Sequence, residues 1–140
     1  MNNEVEFKER LGKIRENTII AIDEWWGHKY PGYKGIIVTN NKEVYKYQYY
    51  HIIPEELKRT NSNYIIKIKD LDDNEYQKII MFIENEIANK QFVDQMIFDA
   101  GFDILINYNG INKKIKNNKG FGNNFEIYDK AEMLLKELLK

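Results

Sequence analysis

Two aspartates, Asp99 and Asp103, flank Gly101 in the segment F-D-A-G-F-D, and they are the acidic pair of this chain that could converge on one ligand. Two converging carboxylates can act as general acid and general base, or they can hold a cation. Asp103 also has Lys116 as a predicted cross-strand partner, which would give its charge a structural purpose. The sequence therefore leaves two alternatives open, a small-ligand site at these aspartates or a structural ion pair.

Other residue types that carry catalysis are scarce. The chain contains no cysteine, which excludes disulfides, thiolate metal sites and cysteine nucleophiles. His28 and His51 are its two histidines, and their separation does not match a metal-binding pair. Ser62 is its one serine and lies outside any G-x-S-x-G motif. We expect no metal, no cofactor and no catalytic constellation.

The doublet Trp25-Trp26 indicates a different kind of chemistry, the recognition of another molecule. Neighbouring residues of a strand point to opposite faces, so the two rings cannot both enter one core. Trp26 has the same parity as Ile20 and Ile22, so we expect Trp26 to be buried and Trp25 to point outward. An outward tryptophan among polar residues is typical of a binding hot spot, although a loop or helix could also cover it.

A basic run near the C-terminal end permits an alternative partner. Lys113, Lys114, Lys116 and Lys119 follow one another without an acidic residue, and lysines of this kind can contact nucleic-acid phosphates. Lysines on exposed strands also protect a sheet edge from aggregation. Nucleic acid therefore remains an alternative partner.

Apolar periodicity and turn residues predict the elements that position these side chains. They predict a helix over Asn3–Arg15, a strand over Thr18–Trp26 and a loop over Gly27–Gly35. Three more strands, a capped helix from Asp73 to about Asn89, a hairpin and a C-terminal helix follow. The three strands cover Ile36–Thr39, Glu43–Tyr50 and Tyr64–Lys69, and the hairpin covers Phe102–Lys116. A loop over Asn117–Asn124 precedes the final helix.

The hairpin carries the strongest local signal. Asn109-Gly110 favours a two-residue type I′ turn, because these residue types tolerate a positive φ. Such a turn fixes the register, so that Ile104 faces Ile115 and Asp103 faces Lys116.

The order α-β-β-β-β-α-β-β-α predicts a two-layer α+β domain, with a largely antiparallel sheet and helices on one face. With 140 residues, we expect a single domain over residues 1–140. The polar halves of the strands should then lie on an open face. With Trp25 as anchor, the residues predicted to bind a partner are Trp25, Lys46, Gln48, Lys67, Lys69, Lys114 and Lys116.

Composition limits the class of protein further. The formal net charge is −1, and no apolar run approaches the roughly 20 residues that span a bilayer. The N-terminal residues lack the pattern of a signal peptide. We therefore expect a cytoplasmic protein without a membrane partner.

This profile of a compact α+β chain with few motifs and an aromatic doublet resembles the small immunity and inhibitor proteins that bacteria encode against toxins. The resemblance implies a non-enzymatic protein-binding module that neutralises a toxin or effector. The alternatives are a nucleic-acid-binding protein with a Lys-rich sheet face, and a small-ligand-binding protein or enzyme that uses Asp99 and Asp103. Self-association through the open face is also possible.

Overall fold

The structure is a computed structural model that describes residues 3–26, 32–50, 63–92, 100–118 and 124–140. This part of the chain forms three helices and six strands. In chain order they are α1 (Asn3–Arg15), β1 (Thr18–Trp26), β2 (Gly32–Thr39), β3 (Glu43–Tyr50), β4 (Tyr64–Asp70), α2 (Asp73–Phe82, continued by a π-helical turn over Ile83–Ile87), β5 (Ala100–Tyr108), β6 (Ile111–Asn118) and α3 (Phe125–Leu138). The predicted α+β class and element order are confirmed.

The six strands form one antiparallel sheet in the order β4-β3-β2-β1-β5-β6. Strands β1 to β4 are a meander, in which each strand pairs with its neighbour in sequence. Strands β5 and β6 are a separate hairpin that joins this meander along β1. β1 is consequently an interior strand, which agrees with the uninterrupted apolar run I-I-A-I that follows Thr18.

The β5–β6 hairpin has the predicted turn and register. Asn109 has a φ of 49° and Gly110 a φ of 82°, as a type I′ turn requires at both central residues. Ile104 lies opposite Ile115, and Asp103 lies opposite Lys116. The turn residues alone were therefore sufficient to predict which residues of the two strands lie opposite each other.

Helix α2 begins at the predicted capping box. The Asp72 carboxylate accepts a hydrogen bond from the Glu75 amide at 2.7 Å, and the Glu75 carboxylate accepts one from the Asp72 amide at 3.1 Å. The helix ends in a wider turn, in which the Ala88 amide donates to the Ile83 carbonyl at 2.9 Å. The predicted end near Asn89 is close to the end of this π-helical turn.

Helices α2 and α3 pack on one face of the sheet. This face, the α2–α3 face, carries the larger apolar core, in which Phe102 stacks on Tyr128 with ring centroids 3.4 Å apart. Its fully buried side chains include Ile20, Ile79, Ile83, Ile87, Ile104, Ile106, Ile115 and Leu135. Each such side chain contributes about 1.5–3 kcal/mol of transfer free energy.

Helix α1 packs on the opposite face, here called the α1 face. Leu11 is buried there against a second apolar cluster that includes Ile37, Tyr47 and Ile65. Helices α2 and α3 share a face as predicted, whereas the placement of all helices on one face is wrong for α1. The reason is that the central strands are apolar on both sides, so each side needs a cover.

Strand β2 is longer than predicted, because Gly32 to Gly35 belong to it rather than to the preceding loop. Glycines normally weaken a strand, but both of these lie under a neighbouring side chain. Trp26 lies over Gly32, where a Cβ atom would approach the indole ring to 2.9 Å. The other members of the predicted loop, residues 27–31, lie outside the described part. None of the described helices is long and apolar enough to cross a membrane.

Candidate partner-binding surface

The residues predicted to form one binding face are divided between the two faces of the sheet. Those on the α1 face are Trp25, Lys67, Lys114 and Lys116. Those on the α2–α3 face are Lys46, Gln48 and Lys69. The prediction of a single face is therefore wrong. Alternation gives relative sides only within one strand, and an irregularity in β4 changes the side between Lys67 and Lys69.

Trp25 lies on the α1 face near the end of β1, and it is half-buried. Its neighbour on β5 is Gly101, which has no side chain to cover the ring. Its neighbour on β2 is Tyr33, whose ring stacks on Tyr49 at 5.3 Å and contacts Phe7 of α1 at 6.2 Å. The Tyr33 ring therefore belongs to the packing beneath α1, and Trp25 lies beside that packing.

Trp26 has the predicted parity and points to the α2–α3 face. Its ring contacts that of Tyr50 at a centroid distance of 5.6 Å, edge to face. The prediction that Trp26 is buried is wrong in degree, since it is half-buried like Trp25. Both rings lie near the same end of the sheet, beyond the densest part of the core.

A partly buried polar cluster lies next to Trp25 beneath the end of α1. The Arg15 guanidinium donates to the Asp23 carboxylate at 2.9 Å and to the Tyr47 hydroxyl at 3.1 Å, and that hydroxyl donates to Asp23. Burial, together with the negative charge of Asp23, raises the pKa of Tyr47. Gly35 lies between Asp23 and Tyr47 in the sheet, and its missing side chain makes room for their hydrogen bond.

Asp103 extends this cluster toward β6. It is directly opposite Asp23 across the β1–β5 ladder, and like charges in such positions repel. Burial raises the pKa of Asp103, while Lys114, 3.7 Å from its carboxylate, opposes that shift. Within the described residues its Oδ1 atom is buried and accepts no hydrogen bond. The predicted pairing of Asp103 with Lys116 holds for the register, whereas the ion pair is made with Lys114.

Three lysines of the predicted binding face, Lys67, Lys69 and Lys114, are paired with carboxylates. Lys67 lies 3.2 Å from Asp70 and 3.6 Å from Glu43. Lys69 is bound by Glu75 and donates to the Leu138 carbonyl at 2.7 Å. The predicted lysines are therefore divided between two faces of the sheet, and three of them have a carboxylate beside them. That arrangement does not favour the nucleic-acid alternative.

A cavity of about 300 Å³ lies on the α2–α3 face, between α3 and strands β1 to β3. Lys46 lines it, whereas Asp103 is on the other side of the sheet. Asp99, the second carboxylate of the small-ligand alternative, lies outside the described residues. Among the described side chains no group of three or more metal-ligating residues occurs. The structure therefore gives that alternative no support at Asp103.

Sequence reasoning missed the roles of Arg15, Tyr47 and Gly35. One signal was present, because Asp23 shares the side of Ala21 in an apolar strand and so required a buried partner. Which residue would supply it depends on the register of β3 and on the position of α1, and local patterns determine neither.

No protein-family model matches the chain, and a search of curated proteins finds no significant match.

Proposed function

We propose that this protein is a non-enzymatic binding module for another protein, and that Trp25 is the anchor of its binding surface. The supporting observation is the position of Trp25 on the part of the α1 face next to α1. There its β5 neighbour has no side chain, and Tyr33 is held in the packing under the helix. A half-buried indole in such a place offers a large apolar area with little conformational entropy to lose.

Positively and negatively charged side chains lie on the same face as Trp25. Along β6, Lys114 and Lys116 lie on the same face as Trp25, and Asp103 lies between them and Asp23. Charges around an aromatic centre select a partner of complementary charge and accelerate its association. An apolar centre with a polar rim is the usual composition of a protein interface.

The partner that we propose is a toxin or effector, which the protein would neutralise in the cytoplasm. This finer proposal comes from the resemblance of the sequence to immunity and inhibitor proteins. It agrees with the scarcity of catalytic residue types in the sequence. Nucleic-acid binding and self-association are the competing outcomes of the experiment below.

The experiment is affinity capture from a lysate of the native cell, with the retained molecules identified by mass spectrometry. The wild-type protein is compared with Trp25→Ala and with a matched control, Met133→Ala. Met133 is 64% exposed on α3, so its truncation removes a large apolar side chain from a distant surface. We expect a stoichiometric protein to be retained by the wild type and the control and lost by Trp25→Ala. The affinity measured with the purified partner should fall by about 2 kcal/mol or more.

Two results would contradict the proposal. Equal retention by Trp25→Ala and the wild type would show that Trp25 is not the anchor. Recovery of nucleic acid in place of a protein, released by moderate salt, would favour the alternative. Circular dichroism of both variants would confirm that each retains its fold.

A further inference from the structure

The cavity between α3 and the sheet has an apolar floor and a charged entrance. Ile22 and Ile36 of the sheet and Leu135 of α3 form the apolar part. Its volume of about 300 Å³ is at the lower end of the range for small-molecule sites. The cavity lies on the face opposite Trp25, so a ligand in it would not compete for the proposed protein-binding surface.

Two carboxylates in the wall of the cavity converge on one phenol. The Tyr128 hydroxyl donates to Glu132 at 2.5 Å and lies 3.2 Å from Glu24. Burial, together with these carboxylates, raises the pKa of Tyr128, so the phenol keeps its proton. Lys34 lies 3.4 Å from Glu24, and Lys136 lies 3.0 Å from Glu132. Each carboxylate of the wall therefore already has a cation beside it.

The third lysine that lines the cavity is Lys46. It points to the α2–α3 face from β3, between Ile36 on β2 and Ile66 on β4. Within the described part of the chain no carboxylate lies within ion-pair distance of its ammonium group. The lining therefore has three lysines against two glutamates, and the unbalanced positive charge is next to apolar side chains.

We propose that this cavity binds a small organic carboxylate with an apolar body. The apolar part of the ligand packs on Ile22, Ile36 and Leu135, and its carboxylate binds Lys46 at the entrance. An inorganic anion would leave the apolar floor unused, and a neutral analogue would leave Lys46 without a partner. A hydrogen bond to a charged group is strong enough to distinguish an acid from its amide.

Benzoate and its neutral isostere benzamide are suitable probes, titrated into the full-length protein and followed by two-dimensional NMR of the backbone amides. We expect benzoate to cause saturable shifts around Ile22, Ile36 and Leu135, with a Kd on the order of 1 mM for a ligand of this size. Benzamide should bind about tenfold more weakly. Lys46→Met should weaken benzoate about tenfold, whereas Lys78→Met, a control on α2 outside the cavity, should not.

Several results would overturn the proposal. Equal shifts with benzoate and benzamide would show that no charge is recognised, and undiminished benzoate binding to Lys46→Met would show that Lys46 is not involved. Shifts that do not saturate, or that map away from α3, would mean that the cavity binds neither probe. The spectrum of each free variant establishes that it is folded. None of these outcomes depends on the capture experiment with Trp25→Ala.

Discussion

Substitution of Gly35 by alanine tests the polar cluster beneath α1. An added Cβ atom would lie 2.5 Å from the Ile22 carbonyl oxygen, 2.7 Å from the Tyr47 hydroxyl and 2.8 Å from the Asp23 carboxylate. All three distances are below any normal contact, and the Ile22 carbonyl belongs to a central strand that cannot easily move. The methyl group must therefore separate the strands or break the hydrogen bond between Tyr47 and Asp23.

The expected loss of stability follows from these contacts. Overpacking of a close-packed interior costs about 1–3 kcal/mol, and the loss of a hydrogen bond to a charged group costs about 1.5–3 kcal/mol. Alanine also lowers the backbone entropy of the unfolded chain, and this effect stabilises the folded state by less than about 1 kcal/mol. We expect Gly35→Ala to lower the free energy of unfolding by about 3 kcal/mol. For 140 residues this corresponds to a fall in Tm of about 10 °C.

The assay is urea unfolding followed by circular dichroism, with Gly12→Ala as the matched control. Gly12 lies in α1 with no atom within 4 Å of an added Cβ, so alanine there should raise stability by about 0.5–1 kcal/mol. The double variant Gly35→Ala with Tyr47→Phe should lose less stability than the two single variants lose in sum. The reason is that the Tyr47 hydroxyl, 2.7 Å from the added Cβ atom, is then absent. A stability of Gly35→Ala equal to that of the wild type would refute the reasoning.

Three further changes test other parts of the fold. Asp72→Ala removes the N-cap of α2 and should lower stability by about 1 kcal/mol in the same urea assay, whereas no change would mean that the capping box is dispensable. Arg15→Met leaves the Asp23 carboxylate, which is 13% exposed, without its cation. We expect this change to lower the free energy of unfolding in the urea assay by about 2 kcal/mol, a value that allows for the partial exposure of Arg15. Asp103→Asn tests the raised pKa of Asp103. The carboxyl group of Asp103 stays protonated to a higher pH in the folded state than in the unfolded state. The contribution of Asp103 to the free energy of unfolding therefore falls as the pH rises above about 3.8. The asparagine variant should therefore become more stable relative to the wild type between acidic and neutral pH, and a change in the opposite direction would contradict the assignment.

Local signals in the sequence were sufficient wherever one short segment determines the structure. The Asn109-Gly110 turn determined the register of its own hairpin, and the residues Asp72 to Glu75 determined the start of α2. The alternation that predicts opposite orientations for Trp25 and Trp26 also holds for Asp23, which joins the cluster under α1, and Glu24, which lines the cavity.

Properties that depend on distant segments could not be predicted. The sequence of α1 shows an apolar stripe but not the face on which it packs, because both faces of the central strands are apolar. The Pro31-Gly32 turn signal predicts a loop that includes Gly32 to Gly35, whereas in the structure a neighbouring side chain lies over each of the two glycines and β2 contains them. The cavity of about 300 Å³ involves residues of three strands and a distant helix, so no single segment indicates it.

The ladder between β1 and β5 also has a consequence for the rate of folding. It pairs residues about 80 positions apart, such as Ile20 with Ile106, whereas every other ladder joins strands adjacent in the chain. The meander and the hairpin can each begin to form locally, but their union requires closure of a long loop, which slows folding. The two carboxylates of Asp23 and Asp103 face each other within this junction, so the ladder that closes the long loop also brings two acidic groups together.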